Sequence, residues 1–103
     1  MLARAHGIML DTVRHATPED LDELEPLLIE LRALPQLRER KRGSFTRASR
    51  GFLHFHVDGP GFYADVRLAD RNERVSVTTP DEQADFMSRV RASLGMARPA
   101  SRD

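Results

Sequence analysis

Leu21, Leu24, Leu28 and Leu31 recur at intervals of three and four, with Leu27 beside them, and lay a single apolar stripe along a helix. Thr17-Pro18-Glu19-Asp20 reads as its start: a threonine cap, proline at the first helical position, and acids beside the positive end of the helix dipole. The stripe runs to about Ala33, and Pro35 helps to end it. Pro26 lies inside the pattern and removes one backbone donor, so the helix must kink or restart there. From Gly43 the period changes to two. Leu53, Phe55 and Val57 alternate with Phe52, His54 and His56; Phe62 to Leu68 and Arg74 to Thr78 follow the same rhythm. Asp58-Gly59-Pro60-Gly61 and Ala69-Asp70-Arg71-Asn72 separate these runs and are rich in turn formers. The chain closes with Thr79-Pro80-Asp81-Glu82, a capping box, and Phe86, Met87, Val90 and Leu94 form a second helical stripe that Gly95 can cap.

This order predicts an α+β fold: a two-layer α-β(3-4)-α arrangement with an antiparallel meander sheet and both helices on one face. A fourth strand around Ser44-Phe45-Thr46 is expected at the edge, where a slip of one residue would move Phe45 between faces. The expected core is Leu21, Leu24, Leu28, Leu31, Leu53, Phe55, Val57, Ala64, Val66, Val75, Val77, Phe86, Val90 and Leu94. At 103 residues the chain fits one domain. It is expected to span 12–95, with flexible termini at 1–11 and 96–103.

Composition narrows function mainly by exclusion. Sixteen basic and sixteen acidic residues cancel, so there is no global field to draw in nucleic acid or an anionic membrane. The absence of cysteine removes disulfides, thiol catalysis and zinc-thiolate sites. The apolar runs are too short to span a bilayer, and the first ten residues lack the pattern of a signal peptide, which makes a cytoplasmic protein the expectation.

Chemistry concentrates on the polar side of the strands. With four residues closing each turn, the outer face carries the rows His56/Tyr63/Thr78, His54/Asp65/Ser76 and Phe52/Arg67/Arg74. Serine hydrolysis needs histidine between serine and carboxylate, and here the aspartate is in the middle. A metal site is open to His54 and His56, alternate histidines on one strand, with Asp65 or Asp58 as oxygen ligand. Association is the third reading: Phe52, Tyr63, Arg67 and Arg74 among the histidines make an interface mixture on an uncovered face. The main expectation is a non-enzymatic binding or interaction protein, homodimeric through that face, with no cofactor. The alternative is a metal- or small-ligand module centred on His54, His56 and Asp65.

Two charge clusters remain. Glu19, Asp20, Asp22, Glu23, Glu25 and Glu30 line the first helix, while Arg38, Arg40, Lys41, Arg42, Arg47 and Arg50 crowd the connection into the sheet. Without interleaved aromatics or a glycine-rich phosphate cradle, the basic segment reads as a solvated loop or a partner for a neighbour's acidic helix, and nucleic acid is not expected.

The run GSFTRASRGFLHFHVDGPGFYADVRL resembles a small uncharacterised actinobacterial family with a Phe-Leu-His-Phe-His core, a resemblance that covers more than half of the chain and implies no activity. The helix-strands-helix order is also similar to frataxin-like and YjbR-like proteins, by analogy of fold alone. TVRHATPEDLDELEPLLIEL resembles the first strand and helix of GNAT-type acetyltransferases. The acetyl-CoA signature is missing, however, and Gly59-Pro60-Gly61 sits in a hairpin, so this likeness reduces to a shared capping pattern.

Overall fold

The computed structural model describes residues 13–95. The termini expected to be flexible, 1–11 and 96–103, lie outside these residues, as does Thr12, the expected first residue of the domain. In chain order the elements are β1 (Val13–His15), α1 (Pro18–Glu23), α2 (Glu25–Arg32), β2 (Leu37–Lys41), β3 (Ser44–Arg47), β4 (Arg50–Asp58), β5 (Gly61–Leu68), β6 (Arg71–Ser76) and α3 (Pro80–Ser93). Five strands form an antiparallel meander in the order β2-β3-β4-β5-β6, and β1 adds a sixth by pairing with β4. The fold class is α+β, as the hydrophobic pattern predicts.

The helix starts follow their sequence signals. Thr17 Oγ1 accepts from the Asp20 backbone N–H at 3.3 Å, and Asp20 Oδ2 accepts in return from the Thr17 N–H at 2.9 Å. Asp20 also takes a 2.7 Å bond from Arg14 Nη1, which ties β1 to α1. That guanidinium, together with the Thr17 N–H, holds the Asp20 carboxyl at about 2. Pro26 resolves as a restart: α1 ends at Leu24, and Pro26 falls in the first turn of α2, where its missing N–H costs no helical bond. Thr79 and Glu82 make the second capping box.

The leucine stripes of α1 and α2 and the Phe86-Met87-Val90-Leu94 stripe of α3 share one core with Leu53, Phe55, Ala64 and Val66 of the sheet. Every expected core residue is buried except Val75, which is half-buried against the cluster. Leu34, Leu37, Phe45, Phe52, Leu68 and Met87 join them. No described helix is long and apolar enough to cross a membrane.

The sheet departs from the expected one in five respects. It has six strands rather than three or four, because Leu37–Lys41 and Val13–His15 also pair. The stretch Ser44–Arg47 is therefore internal, covered by β2, and Phe45 points into the core. The connection that read as a solvated basic loop is the β2–β3 hairpin, and Arg42 in its turn pairs within the chain, to Asp22 and Glu25 at 2.9 Å each. Gly43 beside it has φ +81°, and a Cβ there would meet Leu21 Cδ2 at 2.8 Å, so this turn admits glycine alone without rearrangement.

The remaining two departures move site candidates. Phe45 faces Leu53 while Thr46 faces Gly51, so Phe52 is an extra residue, a bulge in β4. The bulge turns both Phe52 and Leu53 inward, and Phe52 belongs to the core, not to the outer face. At the β5–β6 turn only two residues, Ala69 and Asp70, lie between the paired Leu68 and Arg71, with φ +50° and +65°. A two-residue turn with both positions left-handed matches the twist of the strands. It shifts β6 by two from the expected register, so Arg74 faces Asp65, Ser76 faces Tyr63, and Asn72 faces Arg67.

Two outcomes test this arrangement. Phe52→Ala should lower unfolding free energy by about 3–5 kcal/mol in denaturant melts, as for a core aromatic; a cost under about 0.5 kcal/mol would return Phe52 to the surface. Asp20→Asn should cost about 1–2 kcal/mol at neutral pH. The Asp20 carboxyl ionises more readily in the folded chain, so its contribution is complete above the unfolded value near 4 and is lost as pH falls through about 2. Melts of the two proteins across that window should therefore converge.

Candidate functional site

The outer face of β4 and β5 gathers histidines around one carboxylate. Gly59, at φ +58° and followed by Pro60, closes the β4–β5 hairpin in two residues and fixes its register. His54 consequently faces Asp65 and His56 faces Tyr63, as the sequence predicts. The β5–β6 turn places Arg74 on the other side of Asp65. Strand β1, along the edge of β4 beyond β3, sets His15 opposite His56. Three of the chain's four histidines thus share one patch. The rings of His15 and His56 lie 4.7 Å apart, tilted by 31°, and His54 meets His56 edge-on at 4.9 Å.

Asp65 is the centre of the patch. Arg74 grips it through Nε–Oδ1 at 2.8 Å and Nη2–Oδ2 at 3.1 Å. His54 Nε2 stands 3.4 Å from Oδ2, and His56 Nδ1 only 2.6 Å. Despite that proximity, His56 Nδ1 is buried and has no hydrogen-bond partner, because the oxygen lies off the direction in which a ring N–H would donate. Burial alone would raise the Asp65 pKa, but the Arg74 hydrogen bonds and the neighbouring cationic groups outweigh it and hold the carboxyl below its ordinary range. His56 is shifted down, by burial first and by His54, His15 and Arg74, against the pull of Asp65. At neutral pH it is an uncharged imidazole with a lone pair to offer.

These donors suit a cation. Two ligands of one tetrahedral zinc, each at about 2.0–2.1 Å, stand about 3.3 Å apart, and the His54 Nε2 to Asp65 Oδ2 distance is 3.4 Å. One ligand atom each from His54, His56 and Asp65 fall within 4.8 Å of one another. The His56 Nδ1 to Oδ2 gap would open slightly around an ion, which would also engage the orphan nitrogen. His54 is the exposed member, with 47% of its side-chain surface accessible, and it borders an open groove of about 610 Å3 with Asp65, Arg74 and Gly51.

The other expected site residues are placed differently. Asp58 pairs with Gly61 at the turn and is not in the ligand set. Tyr63 is half-buried on the His56 row, and Arg67 lies two residues beyond Asp65 on the same face of β5. Ser76 donates to Glu82 Oε1 at 2.8 Å and so belongs to the cap of α3, which removes the hydroxyl from any hydrolytic reading. Sequence reasoning missed His15, for its only signal is a three-residue run before a helix cap. It placed Arg74 in the group but opposite the wrong residue.

The comparisons with known proteins give no match: no family model, no curated protein and no solved structure matches this chain. The likenesses noted in the sequence therefore bring no function to the site.

Proposed function

We propose that the chain is a binding module for a divalent transition-metal ion, held by His54, His56 and Asp65 on the open face of the sheet. The observation that carries this reading is the buried His56 Nδ1 without a hydrogen-bond partner, set beside a second imidazole and a carboxylate at ligand spacing. Two imidazoles and one carboxylate are a borderline donor set that suits zinc, nickel or cobalt better than calcium or magnesium. Three protein ligands leave a coordination position for water or a small ligand, and His54 opens it toward the groove. Arg74 supports the site from behind by fixing the plane of the carboxylate. Its charge also opposes a second cation, so the expected affinity is micromolar rather than picomolar. Titration of chelator-treated protein with zinc and with cobalt should show one ion per chain. His54→Ala and His56→Ala should each weaken binding by at least about tenfold, or 1.4 kcal/mol. Affinity should fall as acid protonates the imidazoles and they can no longer bind the ion, with burial making His56 hold out below its ordinary value. Absence of a stoichiometric site at 100 micromolar protein, on the order of the weakest useful affinity, or binding indifferent to both variants, rejects the reading.

Homodimerisation through the same face is the second reading. It is supported by the lack of any covering layer over that face among the described residues and by half-buried Tyr63 at its middle. Burial of Phe52 takes away its other aromatic anchor. In sedimentation, a dimer that Tyr63→Glu converts to a folded monomer would support it, and a monomeric parent at high micromolar concentration would end it.

A further inference from the structure

The far end of the sheet holds a second feature that the metal reading does not use. The β3–β4 turn at Ala48-Ser49, the β5–β6 turn at Ala69-Asp70 and the last turn of α3 enclose a cleft of about 420 Å3, which falls in the range of small-molecule sites. Arg47, Arg50 and Arg67 line it, over a floor of Gly51 and Phe52. Arg14, Arg32, Arg42, Arg74, Arg89 and Arg91 each pair with a carboxylate. The three cleft arginines pair with none among the described residues. Arg47 Nη1 reaches only the Ser93 carbonyl, at 3.5 Å. Asp70 is the single acid on the lining, and no hydrogen bond joins it to the three. A planar oxyanion accepts bidentate bonds from unpaired guanidinium groups of this kind and neutralises their charge.

Both turns beside the cleft are two-residue hairpins with left-handed central residues, which sets the shape of its wall. Among the described residues, the four non-glycine residues with positive φ, Ala48 (51°), Ser49 (69°), Ala69 (50°) and Asp70 (65°), all sit in the two turns that border this cleft. An alanine held there costs about 1–2 kcal/mol, which glycine would avoid.

We propose that this cleft binds the oxyanion group of a small molecule, a phosphate or a carboxylate, through Arg47, Arg50 and Arg67. The site is separate from the histidine cluster, although its floor of Gly51 and Phe52 also lines the groove beside His54.

The test uses the full chain, labelled with 15N and freed of divalent ions by chelator, so that its outcome is independent of metal binding. Sodium phosphate and, separately, sodium acetate are titrated in at fixed ionic strength, while amide and arginine Nε–H signals are followed. At least one of the two should give saturable shifts at Gly51, Asp70 and the cleft arginines, with a midpoint below about 10 mM. A tighter phosphate response identifies a phosphate group, and saturation by acetate alone identifies a carboxylate. Arg50→Gln/Arg67→Gln should weaken the response by about tenfold or more, with the spectrum otherwise unchanged. Arg47→Gln provides a second variant should the pair disturb the fold. Non-saturating shifts, shifts spread evenly over all arginines as simple charge screening would give, or responses equal in parent and variants would overturn the proposal.

Discussion

Strand β4 has to satisfy two demands in nine residues, and its single bulge is how it does so. Its lower part pairs with β3 and its upper part with β1 on one edge, while β5 takes the other edge. A strictly alternating strand would put Phe52 on the same side as His54 and His56. The extra residue at Phe52 lets the hydrophobic layer take two consecutive large side chains and then resumes the alternation in phase for the histidines. Burying Phe52 contributes about 1.5–3 kcal/mol of transfer free energy, which favours one irregular position in the β3–β4 ladder. The core therefore selects the bulge, and the bulge leaves the outer face to polar groups.

Once β4 is so placed, the chemistry of the outer face depends on turn geometry. Both hairpins flanking β5 close in two residues. A turn longer by two would put Arg74 opposite Arg67, and Asp65 would lose the guanidinium whose hydrogen bonds lower its pKa against the effect of burial. The site is thus a product of register: β4 supplies His54 and His56, and β1, β5 and β6 bring His15, Asp65 and Arg74 to them.

That explains what the sequence discloses and what it conceals. The helices were legible because stripes and capping boxes are local: Thr17 with Asp20 and Thr79 with Glu82 bond as their spacing implies. The β4–β5 pairing was legible because glycine and proline mark its turn. Ala69-Asp70 carries no such mark, since a left-handed alanine is set by the strands around it, and so the β6 register was hidden. Arg-Glu-Arg-Lys in β2 has no apolar alternation and reads as loop, and it becomes a strand by pairing with β3. His15 enters the site through a ladder of three residues to His56, forty-one positions away, a contact of the kind a period cannot announce.

The two outermost strands of the meander have one more consequence. Both β2, with Arg38, Glu39, Arg40 and Lys41, and β6, with Arg71, Glu73 and Arg74, present dense mixed charge along their lengths. A strand from another copy that sought the free amide and carbonyl groups there would have to strip water from these ions or oppose like charges. Growth of the sheet by strand addition is disfavoured on both flanks, a safeguard against ribbon-like aggregation in a protein this rich in β structure.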